Sequence, residues 1–228
     1  MTAVSYVLVH GICHGAWCWD TTVDALRRAG HRAVAVDLPL TSLEVDAQCV
    51  RDVLDGLERP VVLVGHSYGG LVISRAAGGR TDVDALVYVA AVMLAADDIL
   101  RERAAETPAV PLSSMATFTD DGHIVVAPPA AAHCFYNACD PEVAEAAARR
   151  LRPTASECLD RGPGAEPWRT IPSTYLVCTQ DRAIHPQLQA RMATRAGTVV
   201  TYDTDHSPFL SIPERFVADL LDVGDRTG

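Results

Sequence analysis

Val61-Val62-Leu63-Val64-Gly65-His66-Ser67-Tyr68-Gly69-Gly70-Leu71-Val72-Ile73 decides the reading of this chain. Four apolar residues read as a buried strand, Leu71 onward reads as a helix, and a very tight turn joins them. A serine stands at the apex of that turn. A hydroxyl is a poor nucleophile until its geometry is fixed and a base takes its proton. A sharp strand-to-helix turn lifts the hydroxyl clear of the sheet and aims the following backbone N–H groups at the same point. Gly65 and Gly69, two residues to either side, keep Cβ atoms out of the crowded bend. The stretch lacks the Gly-Lys-Ser/Thr ending of a phosphate-binding loop.

Working outward, a strand–helix alternation flanks the turn. Val4 to Val9 predicts a buried strand that ends at His10-Gly11. Trp17 to Ala29 carries apolar residues at helical spacing and stops at Gly30. Arg32 to Leu38 reads as a strand, Leu43 to Leu57 as a helix, and Ala85 to Ala91 as another buried strand. The rhythm breaks over residues 94 to about 168, where prolines punctuate the chain and no strong buried strand is predicted. It resumes with a strand at Ser173–Cys178, a helix at Gln187–Ala196, a strand at Thr198–Tyr202 and a helix at Glu214–Val223. The expectation is one α/β domain over residues 1–228. Its mostly parallel sheet is covered by helices on both faces, and residues 94–168 form a small, mainly helical cap. Ligands of such sheets bind beyond the carboxyl ends of the strands, where Gly11, Ser67, Asp181 and His206 all fall.

The 228 residues carry a formal charge of −10. That balance lacks the basic footprint of a nucleic-acid binder and disfavours an anionic membrane surface. All nineteen basic residues are arginine, so lysine-based catalysis is excluded. Seven cysteines form no regular framework, and Cys13 and Cys178 read as buried free thiols. His133, Cys134 and Cys139 match no zinc spacing, so neither a metal nor a cofactor is expected. Met1 leads almost at once into a strand, and no apolar run spans a bilayer. The reading is a cytoplasmic protein without a signal peptide.

The base that activates Ser67 should titrate near neutrality, which points to histidine. His206, just past the last strand, is the best placed of eight. His66 should point away from the hydroxyl, and His10 and His14 should hold the first loop in shape. Asp181, just past a buried strand, is the favoured acid to orient His206; Asp203, Asp205, Asp97 and Asp98 are the alternatives. The backbone N–H of Tyr68 and of Ile12 are the expected oxyanion donors, with Gly11 allowing close approach. The order Ser67, Asp181, His206 is that of α/β-hydrolases.

Val7-Leu8-Val9-His10-Gly11-Ile12-Cys13-His14-Gly15-Ala16-Trp17-Cys18-Trp19 resembles the opening of the plant methylesterases and hydroxynitrile lyases, a family of α/β-hydrolases that includes salicylate-binding esterases. Val177 to Ile184 resembles their acid loop, and Cys134 to Asp140 with Leu151-Arg152-Pro153 resembles a cap segment. The resemblance implies the α/β-hydrolase fold and a Ser67–His206–Asp181 triad acting on a small-molecule ester, and it is compatible with a homodimer. The lyases carry threonine where this chain has Gly11 and lysine where it has Ser207, so cyanide elimination would lack both supports. The esterases usually place methionine at the latter position, so Ser207 departs from both branches. A methyl or short alkyl ester of an aromatic or alicyclic acid is the expected substrate, with Phe118, Phe135, Tyr136, Trp168, Ser207 and Phe209 as candidate contacts. A lactone or thioester hydrolase, a C–C bond hydrolase or lyase, and a receptor-like binder with weak hydrolase activity stand as alternatives.

Overall fold

The computed structural model describes residues 3–227. In chain order, the first half runs β1 (Ser5–Val9), a 3-10 turn (Ala16–Trp19), α1 (Asp20–Arg28), β2 (Arg32–Val36), α2 (Leu43–Leu54), β3 (Val61–His66), α3 (Gly69–Ala77) and β4 (Ala85–Val89). The insertion carries α4 (Leu100–Ala104), α5 (Pro111–Met115), β5 (Ala116–Phe118), β6 (His123–Val126), α6 (Pro128–Phe135), α7 (Pro141–Ala148) and β7 (Thr154–Ala155). The chain returns through β8 (Ser173–Cys178), α8 (Pro186–Ala193), β9 (Thr198–Tyr202), α9 (Pro208–Ser211) and α10 (Pro213–Asp225).

Six strands form one sheet in the order β2-β1-β3-β4-β8-β9, and every pairing is parallel. The apolar runs are continuous because both faces of the sheet are covered, and side chains alternate between them. Val7, Val9, Leu63 and Tyr88 pack with α2, α3 and α8 on one face. Tyr6, Leu8, Val62 and Val64 pack with α1 and α10 on the other. Several helices start where proline's fixed φ and missing N–H are tolerated, at the first position: α5, α6, α7, α8 and α10 all open on proline.

The insertion is mainly helical, as expected, and also holds a small antiparallel sheet, β5-β6-β7, that the sequence pattern does not reveal. Ile124 and Val126 of that sheet join Ala131, Phe135, Tyr136 and Ala147 in a separate apolar cluster, which Cys13 of the first loop completes. The stretch around β7 is bonded to the loop after β1. Arg152 N donates to Cys13 O at 2.8 Å, and Cys13 N donates to Thr154 Oγ1 at 2.8 Å. The Arg152 guanidinium adds bonds to His14 O and Leu38 O. Among the described residues no helix is long and apolar enough to cross a membrane.

Candidate active site

Ser67 sits between β3 and α3 with φ of 53°, a left-handed backbone that costs a non-glycine residue on the order of 1–3 kcal/mol. Neighbouring backbone enforces it. Ser67 N donates to Val89 O at 3.1 Å, and Ser67 O accepts from Gly70 N and Val92 N. The bend is as tight as the sequence implies. A Cβ on Gly65 would lie 2.5 Å from Gly69 O, and one on Gly69 would lie 2.6 Å from Val9 O.

His206 and Asp181 meet from separate strand ends. His206 Nδ1–H donates to Asp181 Oδ2 at 2.6 Å, and both side chains are buried. With Nδ1 committed, Nε2 is the nitrogen left to take a proton. Asp181 is held by three further donors: Ala183 N and Ile184 N on Oδ1, at 2.7 and 2.9 Å, and Gln189 Nε2 on Oδ2 at 2.7 Å. The His206 backbone is fixed in turn, its carbonyl accepting from His66 Nε2 at 2.9 Å, with the two imidazole centroids 4.6 Å apart. No hydrogen bond joins Ser67 Oγ to the His206 ring among the described residues.

The other candidate acids are occupied elsewhere. Asp205 accepts from Ser207 N and Ala138 N, tying the His206 loop to the cap. Asp203 is exposed and bonded to Thr179 and Gln180. Asp98 lies beside Arg103 and Arg195, and Asp97 is exposed.

The first loop is organised by its two histidines, as expected. His10 Nδ1 donates to Gly11 O, and His14 Nδ1 donates to Ile12 O, each at 2.8 Å. The Gly11 carbonyl and the Ile12 N–H belong to one planar trans peptide. The His10 bond therefore sets the direction in which Ile12 N–H points. Among the described residues neither Ile12 N nor Tyr68 N has an acceptor within the protein. Gly11 lies against the serine: a Cβ there would fall 2.7 Å from Ser67 Cβ and 3.3 Å from Ser67 Oγ. Gly11→Ala is expected to push the loop away and lower kcat by about a hundredfold, the usual scale for a lost oxyanion donor. Steady-state kinetics with an unchanged circular dichroism spectrum would check this.

Burial depresses two of these imidazoles. His14 is lowered to about 3 and His66 well below the ordinary histidine value, in both cases first by desolvation and then by neighbouring imidazoles. The unfolded chain protonates both near pH 6.5. Below that pH the unfolded state binds protons that the folded state refuses, so stability falls as pH falls. The expected slope approaches about 1.4 kcal/mol per pH unit for each histidine. Denaturation midpoints measured from pH 7 down to pH 5 should decrease steadily; a flat or rising series would contradict it.

A cavity of about 730 Å³ opens beside the first loop, where Ile12 forms part of its wall. Ala183 and Ile184, from the loop that holds Asp181, form another part. Of the aromatic residues expected at the substrate, Phe118 lines this cavity and is 69% exposed. The others do not line it. Phe135 is buried in the cap cluster, against His14 and His206. Tyr136 is buried and donates to His14 Nε2 at 2.8 Å. Phe209 packs between Trp19, His66 and Phe216. Trp168 packs against the core under the guanidiniums of Arg169 and Arg195. Ser207 is fully buried with its N–H on Asp205, so its departure from methionine does not change the polarity of the cavity wall. The Tyr68 phenol also turns inward, donating to the buried Asp46 at 2.7 Å. Aromatic rings gain most from complete burial, and the cap and core offer it.

Two supporting side chains have no sequence signature that singles them out. Gln189 is fully buried, and it bonds Asp181, Ile184 O and Cys178 N. Asp46 anchors Tyr68 and Leu40 N, and burial raises its carboxyl above the usual range. A polar residue on the otherwise apolar face of each helix is the trace that could have flagged them.

The sequence profile of the α/β hydrolase family matches residues 6–220. The chain is 31% identical to methylesterase 7 of Arabidopsis thaliana, covering 97% of this chain and 96% of that protein. It is 26% identical to salicylic acid-binding protein 2 of Nicotiana tabacum, covering 97% of each. Its fold superposes on a crystal structure of a methylesterase from Arabidopsis with a TM-score of 0.83 at 23% identity, covering 98% of this chain and 99% of that one. The chain belongs to the α/β-hydrolase family, within its methylesterase-like group of carboxylic ester hydrolases.

Proposed function

We propose that this enzyme cleaves a methyl or short alkyl ester of an apolar acid, with Ser67 as nucleophile, His206 as base and Asp181 as its orienting acid. The observation that carries this is a serine held at φ of 53° on the strand-to-helix turn, with His206 Nδ1 bonded to Asp181 at 2.6 Å and the His206 carbonyl bonded to His66, the residue before the serine, at 2.9 Å. Catalytic hydrogen bonds often close only around substrate, and the mechanism requires Ser67 Oγ to meet Nε2 there.

His206 Nε2 takes the Ser67 proton as Oγ adds to the ester carbonyl. The resulting oxyanion is held by Ile12 N–H and Tyr68 N–H. Collapse breaks the bond to the alcohol, which leaves with the proton from His206. Water then adds to the acyl-enzyme by the same roles, giving the acid and restoring Ser67. The net change is ester plus water to acid plus alcohol. Neither metal nor cofactor enters these steps.

The cyanohydrin lyase reading is disfavoured by Gly11 and by the complete absence of lysine. Cavity walls formed mainly by aliphatic groups, with Phe118 and the His185 imidazole as their rings among the described residues, support an apolar acid without requiring an aromatic one. A fluorophosphonate probe with peptide mapping tests the nucleophile: labelling is expected on Ser67 and lost in Ser67→Ala. Label on another residue, or mandelonitrile cleavage faster than ester hydrolysis, would overturn the proposal.

A further inference from the structure

We infer that the acyl group of the substrate is an extended aliphatic chain, and that the α4–α5 segment of the cap is the surface it covers. This deepens the esterase reading above and rests on it. No residue of helices α4 and α5 is fully buried, and only Leu100 and Leu112 pack against a core. Their apolar side chains, with those of the loop between them, nevertheless turn toward the 730 Å³ cavity, where Leu100, Ala104, Val110 and Leu112 form one wall. Ile184 and Leu188, from the Asp181 loop and α8, also line it. Ile12 is the nearest link to the reaction centre, because it lines this space and follows Gly11, which lies against Ser67.

The volume lies in the upper part of the range for a drug-sized ligand of roughly 300–1,000 Å³. That is far more than a methyl group and a single ring require. The aromatic side chains that would sandwich a planar acid are packed elsewhere, so aliphatic groups dominate the walls. A flexible chain of methylenes suits such walls, and apolar surface that the protein leaves uncovered gains a partner when it binds.

The test compares kcat/KM for p-nitrophenyl acetate, butyrate, octanoate and laurate, in the wild type, in Ala104→Trp and in Ser67→Ala. Full burial is worth up to about fourfold per methylene, so octanoate should exceed acetate by about tenfold or more. Ala104 is itself exposed and joins no core, so the bulky replacement fills the cavity without disturbing the fold. It should lower the octanoate-to-acetate ratio by about tenfold. Ser67-dependent turnover that falls with chain length, or a ratio that Ala104→Trp leaves unchanged, overturns this inference while the esterase reading stands. If the wild type turns over no ester, or Ser67→Ala retains full activity, the esterase reading fails and takes this one with it.

Discussion

Ser67→Ala is expected to lower ester turnover by roughly a million-fold, because a nucleophile and its base act as one unit. The loss should appear in kcat, with binding of a non-hydrolysable substrate analogue nearly unchanged. A companion substitution separates chemistry from strain. Ser67→Gly removes the same hydroxyl and also relieves the left-handed backbone at φ of 53°. It should be as inactive as the alanine variant yet more stable, by about 1 kcal/mol, or roughly 2–4 °C in Tm for a chain of this size. Calorimetry of the two variants side by side would show it. Equal melting temperatures would mean that the bend stores no strain, and residual turnover above one part in a thousand would place the nucleophile elsewhere.

Asp181→Asn is expected to have the next largest effect, a drop of about 10⁴ in kcat with the fold retained. Four donors surround this carboxylate: His206 Nδ1, Gln189 Nε2, Ala183 N and Ile184 N. An amide offers one acceptor oxygen in place of two. Whichever way it turns, its NH2 group faces donors. If it faces His206, the imidazole must carry its proton on Nε2, and the base is blocked. If it faces Ala183 and Ile184, one half-buried and one buried N–H group lose their acceptor, at up to about 1–3 kcal/mol each. A fall in both kcat and Tm is therefore expected. An asparagine variant with wild-type kcat would remove Asp181 from the mechanism.

The sheet was legible because its strands are short continuous apolar runs, and Ser5–Val9, Val61–His66 and Ser173–Cys178 stand out as such. The His206–Asp181 pairing was legible because both residues follow strands that end on the same side of the sheet. The cap sheet was not. Thr154–Ala155 is a strand only because β6 is there to pair with it, and Ala116–Phe118 is mostly exposed. No local pattern records a long-range pairing of that kind. The cavity walls were not legible for a related reason. Aromatic residues drew attention as substrate contacts, yet Phe135, Tyr136 and Phe209 fill cores. Much of the wall is alanine, valine, proline and leucine from residues 100–116, a segment with no strong periodicity.

The bonds from Arg152 and Thr154 to Cys13 divide the insertion into two kinds of territory. Residues near 152–155 brace the loop that presents Ile12, so altering them would disturb the reaction itself. Residues 101–109 contribute no side chain to a core, although Leu100, Leu112 and Ala116 on either side of them do. Diversification or directed evolution can rewrite that second stretch freely, retuning which acids are accepted while the reacting atoms stay in register.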